Sequence, residues 1–175
     1  MKIVVKRGEI TGFRTAAAIV PCFEGGGELQ GKVRLLDKKS GGLIKEIIRA
    51  GDFEGRHLQV SVTYTGGIIP AKRIVLVGVG KKTDFTTEKL RGAFATAARY
   101  VRSLKIKEFS TSLDFIFLNK PLDEIARAVV EGVSLGLYQY TSFKTIDRDK
   151  IRAVKEFTII EEKEKAYNII RAAAK

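Results

Sequence analysis

Two glycine-rich segments offer backbone N–H groups of the kind that hold anions. The first, Glu24–Glu28 (EGGGE), follows an apolar run, and the second, Gly78–Thr83 (GVGKKT), follows another. Glycine-rich loops after strands bind phosphate groups through such donors. The two glutamates of the first segment would repel a phosphate, so we interpret it as a tight or flexible loop.

The second segment lacks the spacing of the known nucleotide-binding motifs. A dinucleotide-binding fingerprint needs glycine where Thr83 stands. A phosphate-binding loop that ends in Gly80-Lys81 needs another glycine at Val75 and a hydroxyl residue at Lys82. We therefore predict that this segment is a turn that ends a strand.

Residues that could perform catalysis or bind a metal are scarce. His57 is the sole histidine, so no pair of histidines can ligate zinc, and we predict a surface or strand-entry position for it. Cys22 is the sole cysteine and cannot form an internal disulfide, which favours a buried, inert thiol. Asp147 and Asp149 lie among basic residues, which favours a solvated loop over a metal site. We predict no catalytic residue and no metal ligand.

The chain is basic, with a formal net charge of +12 and an isoelectric point near 9.9. Basic surfaces bind nucleic acid by releasing counterions from phosphate groups. The basic residues are scattered in pairs rather than gathered in a block, which favours a role in solubility. A nucleic-acid-binding domain remains an alternative, and its candidate residues are Arg91, Arg102 and Lys105.

Composition indicates one globular domain. The 175 residues are 45% hydrophobic and 30% charged, and a chain of this length buries roughly 70% of its unfolded surface. The longest apolar run, 16–23, is far shorter than the ~20 residues of a membrane-spanning helix. The amino terminus has no secretory hydrophobic region, so we expect a cytoplasmic location and no membrane partner.

Short β-rich segments alternate with helical patterns, which predicts an α/β domain. About six strands are expected, at 2–6, 16–23, 58–64, 73–79, 109–117 and 156–160. Helical crossovers favour parallel pairing, but the short link between the first two strands would allow that pair to be antiparallel. The sheet is therefore predicted to be mixed, largely parallel and flanked by helices.

Four helices are predicted from apolar spacing and capping residues, at 43–49, 86–104, from about 121 through 137, and 161–174. Thr86 or Asp84 could cap the second of them. Gly132 and Gly136, one turn apart in the third, predict close approach of a neighbouring backbone. In the last, Glu161 and Lys165 are spaced for an ion pair.

Three segments together resemble the amino-terminal domain of the leucyl aminopeptidase family. They are Gly51–Arg56 (GDFEGR), the strand Lys72–Lys81 (KRIVLVGVGK) and Glu131–Tyr138 (EGVSLGLY), and Tyr140, Phe143 and Lys144 continue the third. Their order and spacing also agree with that family.

The resemblance implies a fold similar to macro domains, joined by a helix to a catalytic domain that these residues do not contain. We expect a macro-like domain at 1–160 and the start of the interdomain helix at 161–175. The family's metal-binding signature has no counterpart in the sequence, so the resemblance implies no catalytic residue and no cofactor here. The parent enzyme would use two divalent metal ions, of the zinc or manganese type, to remove amino-terminal residues from peptides.

The implied partners are the parent's catalytic domain and the other subunits of a homo-hexamer, which this domain would help to hold together. A macro-like fold also raises the alternative of an ADP-ribose or nucleotide-binding module. The candidate residues for that ligand are Gly25, Gly26, Gly27, Gly78 and Gly80.

Overall fold

The computed structural model describes residues 1–25, 29–115, 120–139 and 153–174. The strands are β1 (Lys2–Arg7), β2 (Ala18–Phe23), β3 (Val60–Tyr64), β4 (Arg73–Gly80), β5 (Glu108–Thr111) and β6 (Glu156–Glu161). The helices are α1 (Gly31–Lys39), α2 (Leu43–Ala50), α3 (Thr87–Ser103), α4 (Leu122–Leu137) and α5 (Glu164–Ala173). Short 3₁₀ turns lie at Ile10–Gly12, Lys82–Asp84 and Leu113–Phe115.

The described strands form one mixed, largely parallel sheet in the order β1-β6-β5-β2-β4-β3. Every neighbouring pair is parallel except β3 and β4, which are antiparallel and joined by a short connection. The predicted sheet class is therefore confirmed. The suggested antiparallel pairing of the first two strands is wrong, because β1 pairs with β6 at one edge and two strands separate it from β2.

Helices cover both faces of the sheet. On one face α3 packs against β4, α4 packs against α3, and α5 packs against α4 and β1, and their apolar side chains share one core with Val75 and Val77. On the other, α1, α2 and the turn at Leu113–Phe115 pack against Ile74 and Leu76. Strand β4 is thus buried on both faces, which explains why its sequence is a continuous apolar run.

The central helices form where apolar spacing and capping predict them. The Thr86 hydroxyl accepts a hydrogen bond from the Lys89 N–H at 3.1 Å and caps α3. Helix α2 ends at Gly51, which has a left-handed conformation with φ of 82°. Pro121 occupies the position before the first residue of α4, so that helix begins one residue later than its sequence suggests.

Three details differ from the sequence-based expectations. Helix α1 was not predicted. Strand β5 ends at Thr111, because the apolar residues beyond it enter a 3₁₀ turn. Glu161 is the last residue of β6 rather than the first of a helix, and its carboxylate accepts a hydrogen bond from the Lys163 N–H, so the suggested pairing with Lys165 is wrong.

Among the helices of the described ranges, none combines the length and apolar character that crossing a membrane requires.

Candidate functional site

A cavity of about 550 Å³ lies at the carboxyl ends of β2 and β4. Its lining comes from the end of β2, the start of α1, the end of α2, and the residues that follow α2, β4 and β5. The lining residues are Pro21, Cys22, Phe23, Glu24, Gly25, Leu29, Gln30, Val33, Ile48, Phe53, Glu54, Lys82 and Phe115.

The topology of the sheet produces this crevice. After β2 the chain enters α1 on one face, whereas after the neighbouring β4 it enters α3 on the opposite face. The two connections therefore diverge from adjacent strand ends. Open α/β sheets bind ligands at the carboxyl ends of strands where the connections change direction in this way.

The inner wall of the cavity is apolar. Phe53, Val33 and Phe115 are buried and belong to the core between the sheet and α1. Cys22 is buried beside them, and desolvation raises the pKa of its thiol to about 12. The thiol is therefore protonated at neutral pH and unreactive, as the sequence predicted.

The rim of the cavity carries charged side chains of both signs. Glu54 is engaged by Arg56, whose Nη2 lies 2.5 Å from a carboxylate oxygen. Glu24 is half-buried and Lys82 is exposed. Within the described ranges, neither of these two side chains has a hydrogen-bond or ion-pair partner.

The segment 53–59 forms the adjoining wall and is fixed by backbone hydrogen bonds. The Gly80 N–H donates to the Gly55 carbonyl at 3.1 Å, and the Gly78 N–H donates to the Gln59 carbonyl at 2.8 Å. The Gln59 side-chain oxygen accepts from the Glu54 N–H at 2.9 Å. This segment therefore crosses the ends of β2 and β4 in one defined path.

The glycines singled out by sequence have different positions in the structure. Gly25 lines the cavity, whereas Gly26 and Gly27 fall outside the described residues. Gly78 and Gly80 are not part of the lining. A Cβ at Gly78 would overlap the Arg56 carbonyl, so this glycine admits the backbone of the neighbouring segment.

Of the other candidate residues, His57 lies within the described ranges. His57 is exposed and its Nε2 lies 3.1 Å from the Lys89 carbonyl oxygen, in agreement with the predicted strand-entry position. Asp147 and Asp149 fall outside the described residues. Within the described ranges, no three His, Cys, Asp or Glu side chains converge to hold a metal ion.

Two of the three residues proposed for nucleic acid make contacts inside the domain. Arg91 forms ion pairs with Glu88 and, at 2.8 Å, with Glu131. The Arg102 guanidinium donates to the Leu137 carbonyl at the end of α4, at 3.3 Å. Lys105 is exposed just after α3. The nucleic-acid hypothesis stays a prediction.

Sequence reasoning missed most of the cavity. Phe53 was noted as part of the Gly51–Arg56 motif, but not as a cavity wall. Val33 lies in the helix that was not predicted, and Phe115 was assigned to a strand. The change of direction after two adjacent strands indicates such a cavity, but it can be recognised only after the strand order is known.

The segments that carried the family resemblance lie within a longer matching region. Residues 19–147 match the model of the cytosol aminopeptidase family, N-terminal domain. The chain belongs to this family. It is 29% identical over 164 residues to a probable cytosol aminopeptidase of Alkaliphilus oremlandii, covering 94% of this chain and 33% of that protein. It is 38% identical over 128 residues to the probable enzyme of Gloeothece citriformis, covering 73% and 26% respectively. The chain thus spans about a third or less of these relatives.

Solved structures confirm the fold. A mutant of tomato leucine aminopeptidase superposes with a TM-score of 0.76 at 17% identity, covering 99% of this chain and 35% of that one. A Trypanosoma brucei macrodomain in complex with ADP superposes with a TM-score of 0.74 at 12% identity, covering 99% and 69% respectively. This chain is therefore macro-domain-like in fold.

Proposed function

We propose that this chain is the non-catalytic amino-terminal domain of a leucyl aminopeptidase-like metallopeptidase. The parent protein removes amino-terminal residues from peptides with two divalent metal ions held in a separate catalytic domain. The domain's own role is in assembly, through contacts with the catalytic domain and with other subunits of a homo-oligomer, a hexamer in our proposal. The cytosolic naming of the relatives supports a cytoplasmic location.

One observation carries this proposal: the family motifs of this chain are used for packing. Gly55 and Gly78 allow two backbone segments to approach, and Phe53 is buried in the core. In the third motif, Gly132 and Gly136 bring α4 against the backbone of α3. Motifs whose glycines and phenylalanine serve packing are suited to hold a shape that other parts of the protein recognise.

Exposed apolar side chains supply candidate contact surfaces for assembly. Ile68 is 61% exposed beside the exposed Tyr64 at the β3–β4 connection, and Leu135 is 67% exposed on α4 near Tyr138. Exposed apolar groups that form a contiguous patch mark protein–protein contact sites. These two surfaces lie on different elements, so they can be tested separately.

The catalytic half of the proposal is tested with a leucine chromogenic substrate and added Mn²⁺ or Zn²⁺. We expect the parent protein to hydrolyse it and purified residues 1–175 to show no activity. Metal-dependent hydrolysis that the purified chain keeps through successive purification steps, at constant specific activity, would refute a non-catalytic role.

The assembly half is tested in the parent protein by sedimentation velocity. We expect removal of residues 1–175 to shift the oligomer to smaller species, and Ile68→Asp or Leu135→Asp to reproduce the shift if the altered surface is an interface. Exposed Lys105→Gln serves as the control. An oligomer that is unchanged after removal of the whole domain would contradict the assembly role.

A further inference from the structure

We propose that the cavity at the ends of β2 and β4 binds a short peptide with apolar side chains, with its ammonium group at Glu24 and its carboxylate at Lys82. This binding function is separate from the assembly role and does not depend on it. The inference rests on the size of the cavity, its apolar wall and two charged rim side chains, Glu24 and Lys82, that have no partner among the described residues.

The volume and the wall define the body of the ligand. A cavity of about 550 Å³ is in the range of roughly 300–1,000 Å³ that holds ligands of drug size. The inner surface is built from aliphatic and aromatic side chains, with Val33, Phe53 and Phe115 among them. Such a wall gains free energy by covering apolar groups, so the ligand carries hydrophobic side chains rather than a polar body.

The rim defines the charged groups of the ligand. Glu24 follows β2 and Lys82 follows β4, and the Glu24 N–H donates to the Gly80 carbonyl at 2.9 Å. Both residues line the same cavity, next to the ends of neighbouring strands. A ligand with an apolar body that carries both an ammonium and a carboxylate satisfies both, and a small apolar peptide, with one group at each terminus, has this chemistry.

The same charges disfavour a phosphate-rich ligand. Among the described residues that line the cavity, Glu24 and Glu54 are anionic and Lys82 is the one cation. Glu54 is paired with Arg56, but a nucleoside diphosphate would bring additional negative charge next to Glu24, and like charges at short range repel. The binding of ADP and ADP-ribose is therefore compared with the binding of the peptide in the experiment below.

The experiment is isothermal titration of the 175-residue chain with the dipeptide Leu-Leu. We expect a dissociation constant on the order of 0.1–1 mM, as is usual for a ligand of this size. The comparison ligands each lack one feature: Gly-Gly lacks the apolar side chains, N-acetyl-Leu-Leu lacks the ammonium, and Leu-Leu amide lacks the carboxylate. Free leucine distinguishes an amino-acid site from a peptide site.

Two variants test which residue contacts the ammonium group of the ligand and which contacts its carboxylate. In the unsubstituted chain, acetylation or amidation of Leu-Leu is expected to weaken binding about five- to tenfold. In Glu24→Gln, acetylation should have no further effect, and in Lys82→Gln amidation should have none. Lys81→Gln is the matched control, because Lys81 is an exposed neighbour outside the lining. Both rim positions are accessible to solvent, so these variants should fold, and circular dichroism verifies this.

Several results would overturn the proposal. Absence of heat with Leu-Leu at 10 mM, or equal binding of Gly-Gly, would exclude an apolar peptide site. If acetylation of Leu-Leu weakened its binding equally in the unsubstituted chain and in Glu24→Gln, the assigned ammonium contact would be excluded. Tighter binding of ADP than of Leu-Leu would identify a nucleotide site instead, and tighter binding of free leucine an amino-acid site.

Discussion

Gly132 and Gly92 lie in packed helices, but a methyl group would have opposite effects at the two positions. A Cβ at Gly132 would overlap the Arg91 carbonyl oxygen, whereas a Cβ at Gly92 would make only ordinary contacts, 3.5 Å from the Leu58 side chain. We expect Gly132→Ala to lower the free energy of unfolding by about 1–3 kcal/mol through overpacking. Gly92→Ala should raise it by about 0.5–1 kcal/mol, because alanine favours helix.

Denaturant unfolding of the two variants measures this difference directly. Because both substitutions exchange glycine for alanine inside a helix, the intrinsic helix propensity acts in the same direction in each. Equal stabilisation by the two variants would show that α3 and α4 do not approach as closely as the structure describes.

Two carboxylates at opposite ends of β6 should give opposite pH dependence. Burial raises the pKa of Glu161 above its usual 4.5, whereas a hydrogen bond from Lys6, at 3.2 Å, lowers the pKa of Glu156. Glu161 therefore contributes stability that is fully present below pH 4.5 and is lost as the pH rises through its pKa in the folded state. Glu156 contributes stability that is present above pH 4.5 and is lost as the pH falls through its lowered pKa.

We expect Glu161→Gln to be more stable than the unsubstituted chain at pH 7, because the neutral amide can still accept the Lys163 N–H bond. Its advantage should disappear near pH 4. Glu156→Gln should be less stable at pH 7, with a deficit that shrinks on acidification. Thermal unfolding between pH 4 and pH 8 is the measurement, and parallel curves for the two variants would contradict the assigned causes.

Among single residues, the sequence predicted those whose environment follows from local pattern. The burial of Cys22 and the packing role of Gly132 and Gly136 follow from an apolar run and from helical spacing. The role of Gly78 does not, because the backbone it admits belongs to a segment some twenty residues earlier in the chain.

At the scale of elements, α5 is joined to the core by one face. Ile170 is fully buried, whereas the adjacent Ile169 is 37% exposed. We expect Ile170→Ala to lower the free energy of unfolding by about 2–4 kcal/mol, in the range for a fully buried isoleucine. Ile169→Ala, which removes the same atoms, should cost less than about 1 kcal/mol.

Chemical denaturation of the two variants tests whether α5 belongs to the folded unit. Equal, small effects would indicate that α5 is held loosely and functions as a linker, in keeping with the predicted domain boundary at residue 160. A large difference would extend the cooperative domain through α5.

A helix or strand could be predicted when its own sequence pattern was clear. Helix α3 has apolar residues at every third or fourth position and a threonine cap, and both signals were readable. Helix α1 begins at Gly31 after Gln30, which makes no capping bond, and has just a few buried residues. Its position is determined by packing on the sheet, which local sequence does not record.

At the scale of the whole molecule, the strand order could not be derived from the sequence. The α/β class and the mixed sheet followed from alternation, but β1 pairs with β6 across almost the whole chain length. The cavity depends on this long-range order, since its wall combines residues from several distant segments. Sequence therefore predicted that this family's domain is present, and left the location of its pocket to be found in the structure.

The +12 charge of the whole molecule gives the last prediction. A spread-out charge attracts duplex DNA weakly, and the logarithm of the binding constant falls linearly with the logarithm of salt concentration. If Arg91, Arg102 and Lys105 formed a phosphate-binding surface, neutralising each would reduce that slope by about 1. Arg91 is already paired with Glu88 and Glu131, so we expect Arg91→Gln to leave the slope unchanged.

Two exposed lysines distinguish a diffuse charge from a localised site. Lys81 precedes α3 and Lys105 follows it. If the positive charge is diffuse, Lys81→Gln and Lys105→Gln should reduce the salt slope of DNA binding by similar, small amounts. Fluorescence anisotropy titrations at several salt concentrations measure this slope. A localised site would instead show slope losses near 1 for Arg91→Gln, Arg102→Gln and Lys105→Gln, and none for Lys81→Gln. Because the salt slope counts phosphate contacts and not total affinity, it separates these two arrangements of the same net charge.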